Sequence, residues 1–428
     1  MRMGWKVAAL ALGCGCIAGG AAADWLDTLF PPGVPGYGDA PGVTVLSRLH
    51  PETQPEGIRD GPFVLRPLWE QSLGYDSNVL GGPAPVGSWV VGTRPSLLLA
   101  SDWSRGAMGG YIALDDRRDL NAPAQSRTDG TASLGGSLDA GSGRVTLAAA
   151  EIDGHEDRTA LDALSTDRPV RFEVQDLRAS YVRTDGPWVT TRTLDVSSWH
   201  YGDASILGAP ASQAYRDRLV VVAGTTMSYE LAPQRSLVLV TRTTGQDYQH
   251  KLPAQPGLNS AGYQVMAGID YADDDVWRYR LLLGGEYRSF AAAVYPNRYA
   301  AITEAEIAWM PSGMTTVTGA VSRSMEDAAQ EGVSGYTYTN AKLNLDHELR
   351  RDVLLHASAG VQRADFLQGG AWQAGYTLGL GATWLVNRRV QVSVTYALTA
   401  QHGSGAATEP LAGDYTRSVG LLTVRLAL

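Results

Sequence analysis

From Phe63 to Leu428 the chain alternates apolar and polar residues with a period of two, and it does so in stretches longer than an ordinary sheet uses. Residues 276–288, VWRYRLLLGGEYR, put Trp277, Tyr279, Leu281, Leu283 and Tyr287 on one face and Arg278, Arg280, Glu286 and Arg288 on the other. Residues 388–399 set Val390, Val392, Val394, Tyr396 and Leu398 against Gln391, Ser393, Thr395 and Thr399. Residues 341–348 set Ala341, Leu343 and Leu345 against Lys342, Asn344, Asp346 and Glu348.

Turn signals cut this region into strands of about 10 to 16 residues, with connections of two length classes. Tight turns fall near 104, 141, 186, 233, 273, 311, 351 and 388. Longer loops bearing Pro and Gly fall around 76–86, 119–126, 154–171, 202–213, 247–258, 290–298, 326–335, 366–371 and 402–413. The expected architecture is all-β: a closed antiparallel transmembrane barrel over 63–428 with about 18 strands, or 16 if one hairpin is lost. A phase change between Val174 and Leu177 predicts a bulge there.

A soluble sandwich also alternates, but short turns on one side and long loops on the other belong to barrels that cross an outer membrane. Lipid offers no hydrogen-bond partner, so the sheet must close and leave no edge. With both ends of the wall on the periplasmic side, the strand count is even. A charged side chain costs about 2 to 4 kcal/mol on the lipid face at mid-membrane, so the charged face is the lumen. In 415–428, Leu422, Val424, Leu426 and Leu428 oppose Thr423 and Arg425, the pattern of a closing strand that outer-membrane insertion machinery would read. Its expected partner, 64–75, sets Leu65, Trp69, Leu73 and Tyr75 against Arg66, Glu70 and Ser72.

The first residues carry Arg2 and Lys6, an apolar run and Ala21-x-Ala23, which reads as a secretory signal peptide over 1–23 with Asp24 as the new N-terminus. Ala11, Leu12 and Gly13 before Cys14 fit a lipoprotein signal poorly. Cleavage removes both cysteines, Cys14 and Cys16, so no disulfide is expected. It also removes two cations and takes the formal charge from -9 to about -11, which argues against nucleic acid as a partner. After residue 23 no apolar run approaches the roughly 20 residues of a membrane helix. Tyr and Trp number 19 and 11 against 5 Phe, a balance suited to membrane interfaces. Residues 24–62 are Pro-rich and read as an extended periplasmic segment. Within them WLDTLF, 25–30, reads as a frayed end, with docking as a single helical turn the alternative.

Residues 73–81, LGYDSNVLG, end a strand and open a long loop. With Gly74, Tyr75, Asp76 and Asn78 they resemble the opening of the putative β-barrel porin 2 family. The resemblance implies an outer-membrane barrel of this size, and some members accompany exopolysaccharide gene sets, which implies a transport or export role. No catalytic residue carries over from it.

Asp76-x-Asn78-x-Leu80-Gly81 copies part of a calcium loop, but Leu80 lacks the oxygen the third ligand needs and no Glu follows. Asp76 and Asn78 are therefore read as an Asx-type strand cap, with Tyr75 in the outer aromatic girdle. Asp273, Asp274 and Asp275 read as a solvated turn. His402, Ser404 and Glu409 sit in a Gly-bearing loop, a poor platform for a hydrolase, and the other histidines show no ligand spacing. No catalytic residue, metal or cofactor is assigned.

By parity Arg178, Arg216, Arg218, Arg242, Arg278, Arg280 and Arg288 fall on the charged face, with Glu230, Glu286, Glu304 and Glu306 available to pair with them. That face either braces the barrel by paired charges or forms a pathway for anionic solutes. The expected function is a channel in the bacterial outer membrane for a saccharide, polysaccharide or other hydrophilic solute. The alternative is a non-conducting barrel that displays its loops as an adhesin, assembly partner or enzyme. An energised receptor would need a plug far longer than 24–62.

Overall fold

The computed structural model describes residues 29–31, 33–37, 44–46, 53–101, 103–251, 256–272, 276–404 and 413–428. The signal peptide read at 1–23, the Asp273–Asp275 triplet and most of the His402–Glu409 run lie outside them.

Among the described residues the main sheet has nineteen strands, one of them the short piece Ile58–Asp60; the other eighteen form the wall. They are β1 Phe63–Asp76, β2 Ser88–Ser101, β3 Gly106–Asp119, β4 Arg127–Ala140, β5 Gly143–His155 and β6 Arg171–Asp185. There follow β7 Trp188–Tyr201, β8 Arg218–Ala232, β9 Arg235–Tyr248, β10 Ser260–Tyr271, β11 Trp277–Phe290 and β12 Arg298–Ser312. The last six are β13 Thr315–Glu326, β14 Tyr336–Arg350, β15 Val353–Phe366, β16 Trp372–Leu385, β17 Val390–Ser404 and β18 Tyr415–Ala427. Each pairs antiparallel with its neighbours in sequence, and β18 returns to β1 from Leu68↔Ala427 to Asp76↔Val419, which closes the barrel. Fourteen residues at about 3.3 Å each, tilted near 40°, rise roughly 35 Å, enough to cross an apolar band of about 25 Å.

Alternation sorts the two faces. Leu134, Leu138, Leu147, Leu177, Leu283, Leu378 and Leu380 are exposed on the outside, where lipid covers them. Aromatic pairs mark both interfaces: Trp188–Tyr229 at 4.8 Å and Trp277–Trp309 at 5.4 Å near the short turns, Tyr75–Trp89 at 5.6 Å and Tyr287–Tyr299 at 4.6 Å near the long loops.

The predicted bulge between Val174 and Leu177 is absent: β6 keeps continuous register with both β5 and β7. Val174 is instead an apolar residue pointing inward, buried with Phe172, Ile152, Trp199 and Val220. What it packs near corrects a second expectation. The first described pieces of the Pro-rich segment lie inside the lumen: Phe30, Val34 and Tyr37 join that same cluster, with Leu29 against it. The backbone fits because the wall offers glycines. A Cβ at Gly109 would lie 2.2 Å from the Gly33 carbonyl oxygen, and one at Gly135 would lie 1.9 Å from that of Pro35. Tyr37 donates to Asp176 Oδ1 at 2.5 Å, and Arg178 Nη1 donates to the Gly36 carbonyl at 3.3 Å while its guanidinium lies 4.7 Å from the Tyr37 ring centre. Eight residues later Val45 packs on Leu354 and Leu385 of the far wall, and its N–H donates to Thr316 Oγ1 at 3.1 Å. The described pieces 29–31, 33–37 and 44–46, here called the strap, thus meet opposite parts of the inner wall, and farther on Gly57 N–H donates to the Leu428 carbonyl at 3.1 Å beside the short-turn rim.

Candidate functional site

Above the strap lies a chamber of about 670 Å³ inside the barrel. Gly36 of the strap lines it below, and inward residues of the wall line its sides, among them Arg178, Asp195, Trp199, Arg218, Arg242, Gln246 and Arg288. Its roof is Glu156–Ala163 with Asp327–Ala329, which are parts of two long loops turned into the mouth.

Local chemistry bends the first loop, 156–170, inward. Asp157 Oδ1 accepts the Thr159 N–H at 2.9 Å and its hydroxyl at 2.7 Å, and Asp162 sits at φ 66°, in the left-handed region that Asp tolerates. The loop then spans the mouth to the opposite wall. Tyr415 donates to the Thr159 carbonyl at 2.7 Å, Arg417 Nη1 to Thr159 Oγ1 at 2.6 Å, and the Asp162 N–H to Gln373 Oε1 at 2.9 Å. The second loop, 327–335, locks onto the first. Ala329 N–H donates to Asp162 Oδ2 at 2.5 Å, Tyr215 donates to the Ala329 carbonyl at 2.5 Å, and Leu161, Ala328, Val333, Tyr336 and Phe366 share an apolar cluster.

The electrostatics of the roof are uneven. Burial pushes the Asp162 carboxyl up to about 8, beyond what the Ala329 N–H and Arg216 pull back. Burial also acts to raise Asp327, but Arg288 and Arg218 outweigh it and hold that carboxyl below its ordinary range.

Arg178 meets Asp195 Oδ2 at 2.9 Å and Asp176 Oδ1 at 3.2 Å, and Arg242 meets Glu304 Oε1 at 2.5 Å. Arg216 does not belong to a strand, contrary to its parity assignment. It ends the short turn Ala214–Arg216, donates from Nη1 to Glu156 Oε2 at 3.0 Å, and lies 4.0 Å from the Tyr201 ring centre. Arg218 and Arg288 converge on Asp327, and the Arg218 guanidinium lies 5.0 Å from the Trp199 ring centre. Glu286 lines the chamber and accepts from Gln264 Nε2 at 3.0 Å. Arg278 and Arg280 stand apart near the short-turn end, with Arg280 registered between Asp270 and Glu306. Arg178, Arg216, Arg218, Arg242 and Arg288 are thus each met by a carboxylate, the arrangement expected of charge-paired bracing. Alternation alone did not disclose Trp199, Tyr201, Asp162, Asp327 or Tyr37; the inward apolar residues Phe172, Val174 and Val220 were the available signal that something packs inside.

Asp76 forms a cap, as its Asx turn with the Asn78 N–H at 3.1 Å requires, and it also holds the seam. It is fully buried, and its oxygens accept from Arg417 Nη2 at 2.6 Å and Arg117 Nη2 at 2.9 Å. Arg417 also reaches Thr159, so the closing strand and the inward loop share one guanidinium.

The sequence matches the family described as Putative beta-barrel porin 2 over residues 50–428. No curated protein matches it. Solved structures similar to it include the outer membrane protein OpdK of Pseudomonas aeruginosa, 12% identical, with 85% of this chain and 99% of that one covered and a TM-score of 0.47. They also include the FrpB iron transporter (F3-3 variant) of Neisseria meningitidis, 9% identical over 86% and 82% of the two chains, TM-score 0.46. OccAB3 of Acinetobacter baumannii is 8% identical over 86% and 100%, TM-score 0.46.

Proposed function

Because the chain belongs to the putative beta-barrel porin 2 family, we propose that it is a gated channel passing or exporting a hydrophilic solute of the saccharide or polysaccharide class. The protein is a barrel of the bacterial outer membrane, with lipid around its apolar wall. One observation carries the gated reading. The lumen is obstructed by segments that are not wall strands, namely the strap pieces 29–31, 33–37 and 44–46 and the loops 156–170 and 327–335. Removing them leaves all eighteen strand pairings in place, and a barrel of this size holds a water-filled lumen. Loops latched inward suit a gate better than an adhesive display.

Support for a saccharide comes from the chamber wall. Phe172, Trp199 and Tyr201 form a triangular cluster, with ring centres 6.3, 6.4 and 6.3 Å apart, beside Thr244, Gln246 and Gln264. Apolar faces with a few placed polar groups are the ordinary make-up of a small-molecule site. We assign no catalytic role, and the closing strand β18 would be the part that insertion machinery reads. Planar-bilayer recording tests the proposal: the full chain should show small, infrequent openings, and a variant lacking residues 29–52, with loops 156–170 and 327–335 replaced by short Gly-Ser linkers, should conduct steadily, with current reduced by added oligosaccharide. A silent deletion variant with native barrel mobility on gels would refute it.

A further inference from the structure

The chamber arginines divide by the origin of the carboxylate that meets them. Arg178 is held by Asp176 and Asp195, and Arg242 by Glu304, all residues of the wall. Arg216, Arg218 and Arg288 are held by Glu156 and Asp327, which arrive on the two roof loops. A wall pair braces the barrel whether the roof is closed or open. A loop carboxylate neutralises its arginine only while the loop is in.

Asp327 occupies the best-built of these places. Arg288 Nη2 donates to its Oδ1 at 2.5 Å, Arg218 Nε lies 3.4 Å from Oδ2, and Gln246 Nε2 donates to Oδ2 at 2.8 Å. Arg288 is only 4% exposed, and its Nη1 has no hydrogen-bond partner among the described residues. With Asp327 withdrawn, Arg288 would keep only the pull of Glu286 on the wall, and Arg218 would lose the carboxylate it meets among the described residues; a buried charge left short of a partner is costly. The arrangement of the two guanidiniums and the amide is the one that receives a carboxylate.

We propose that Arg218, Arg288 and Gln246 form a binding site for a carboxylate group on the solute, and that Asp327 is its resident occupant when the gate is shut. A solute carboxylate entering the chamber takes the place of Asp327, and loop 327–335 loses its hold on the wall. One ion pair is exchanged for another, so the solute has to outweigh only the loop's remaining contacts, such as Ala329 with Asp162 and Tyr215. Binding and opening are linked: whatever weakens the resident carboxylate strengthens the solute. This deepens the channel reading by naming the charged group of the solute, and rests on that reading only for its physiological sense.

Calorimetric titration of the full chain in detergent micelles tests it, with D-galacturonate as the probe and D-galactose as its neutral counterpart. Galacturonate should bind and galactose should bind at least tenfold more weakly. Asp327→Asn, which keeps shape and loses charge, should bind galacturonate at least tenfold more tightly than the unaltered chain, and Arg218→Gln with Arg288→Gln should lose that binding. Asp327→Ser replaces the Asn variant if the latter fails to show the heat-dependent gel shift of a folded barrel. An unchanged affinity in the Asp327 variant, or equal binding of the two sugars, would overturn the proposal. Since no conduction is measured, a barrel that proves silent leaves this test valid, and a conducting barrel without carboxylate preference sinks this inference alone.

Discussion

Raising the pH from 6 to 8 should loosen the roof of the chamber, because it forces a charge onto Asp162. The side chain is 5% exposed, and burial lifts its carboxyl to about 8. Glu156 adds to that rise, whereas the Ala329 N–H and Arg216 oppose it without prevailing. With the loop out, the same carboxyl is solvated and titrates near its ordinary value of about 4. The closed roof therefore holds a proton that the open roof has released. The closing stability it contributes is fully present below about pH 4, falls as pH rises, and is lost once pH passes about 8. Between pH 6 and 8 the change is about 2 kcal/mol, or roughly thirtyfold in the ratio of open to closed loop. A nitroxide on Ser165→Cys, an exposed position of the loop, with Cys14 and Cys16 replaced by Ala, reads that ratio as the mobile fraction in its EPR spectrum. The fraction should rise with pH, and Asp162→Asn should hold it flat. Equal fractions at pH 6 and 8, or a rise that persists in the Asn variant, would show that the Asp162 proton does not hold the roof shut.

Arg417→Ala leaves buried Asp76 with Arg117 as its remaining guanidinium partner and removes one of the bonds that hold Thr159, so it should cost about 3 kcal/mol, read as a lower urea midpoint of the membrane-inserted barrel. Gly135→Val would drive a Cβ into the Pro35 carbonyl and should expel the strap while the wall stays intact, making single-channel openings more frequent than in the unaltered chain. Leu177→Arg, on the lipid face, should cost about 2 to 4 kcal/mol, whereas Ser228→Arg on the lumen face of β8 should fold normally, as measured by the same urea midpoint.

The wall was legible because alternation and turn chemistry are local. Trp277, Leu281 and Leu283 against Arg278, Arg280 and Arg288 assign both faces of β11 without reference to any other strand. Strap and roof depend on contacts across the lumen between residues more than a hundred positions apart, such as Tyr37 with Asp176 and Thr159 with Tyr415, and periodicity carries no trace of partner identity. The one local sign was read wrongly. Val174 breaks the polar face not because the strand bulges but because an inward apolar patch awaits Phe30, Val34 and Tyr37. Likewise the arginines were recognised by parity, but whether their carboxylates sit on the wall or on a loop is a tertiary fact, and that difference separates bracing from gating.

Gating requires that the strap close the lumen reversibly. Tyr37 of the strap meets Asp176 of the wall at 2.5 Å, so cysteines at the two positions lie within reach of a short, reducible bis-methanethiosulfonate cross-linker. Single-channel conductance of Tyr37→Cys with Asp176→Cys, in a chain without Cys14 and Cys16, tests the point most directly. Openings should be abolished once the cross-link forms and return on its reduction; identical currents before and after reduction of a cross-link shown to have formed would contradict reversible closure by the strap.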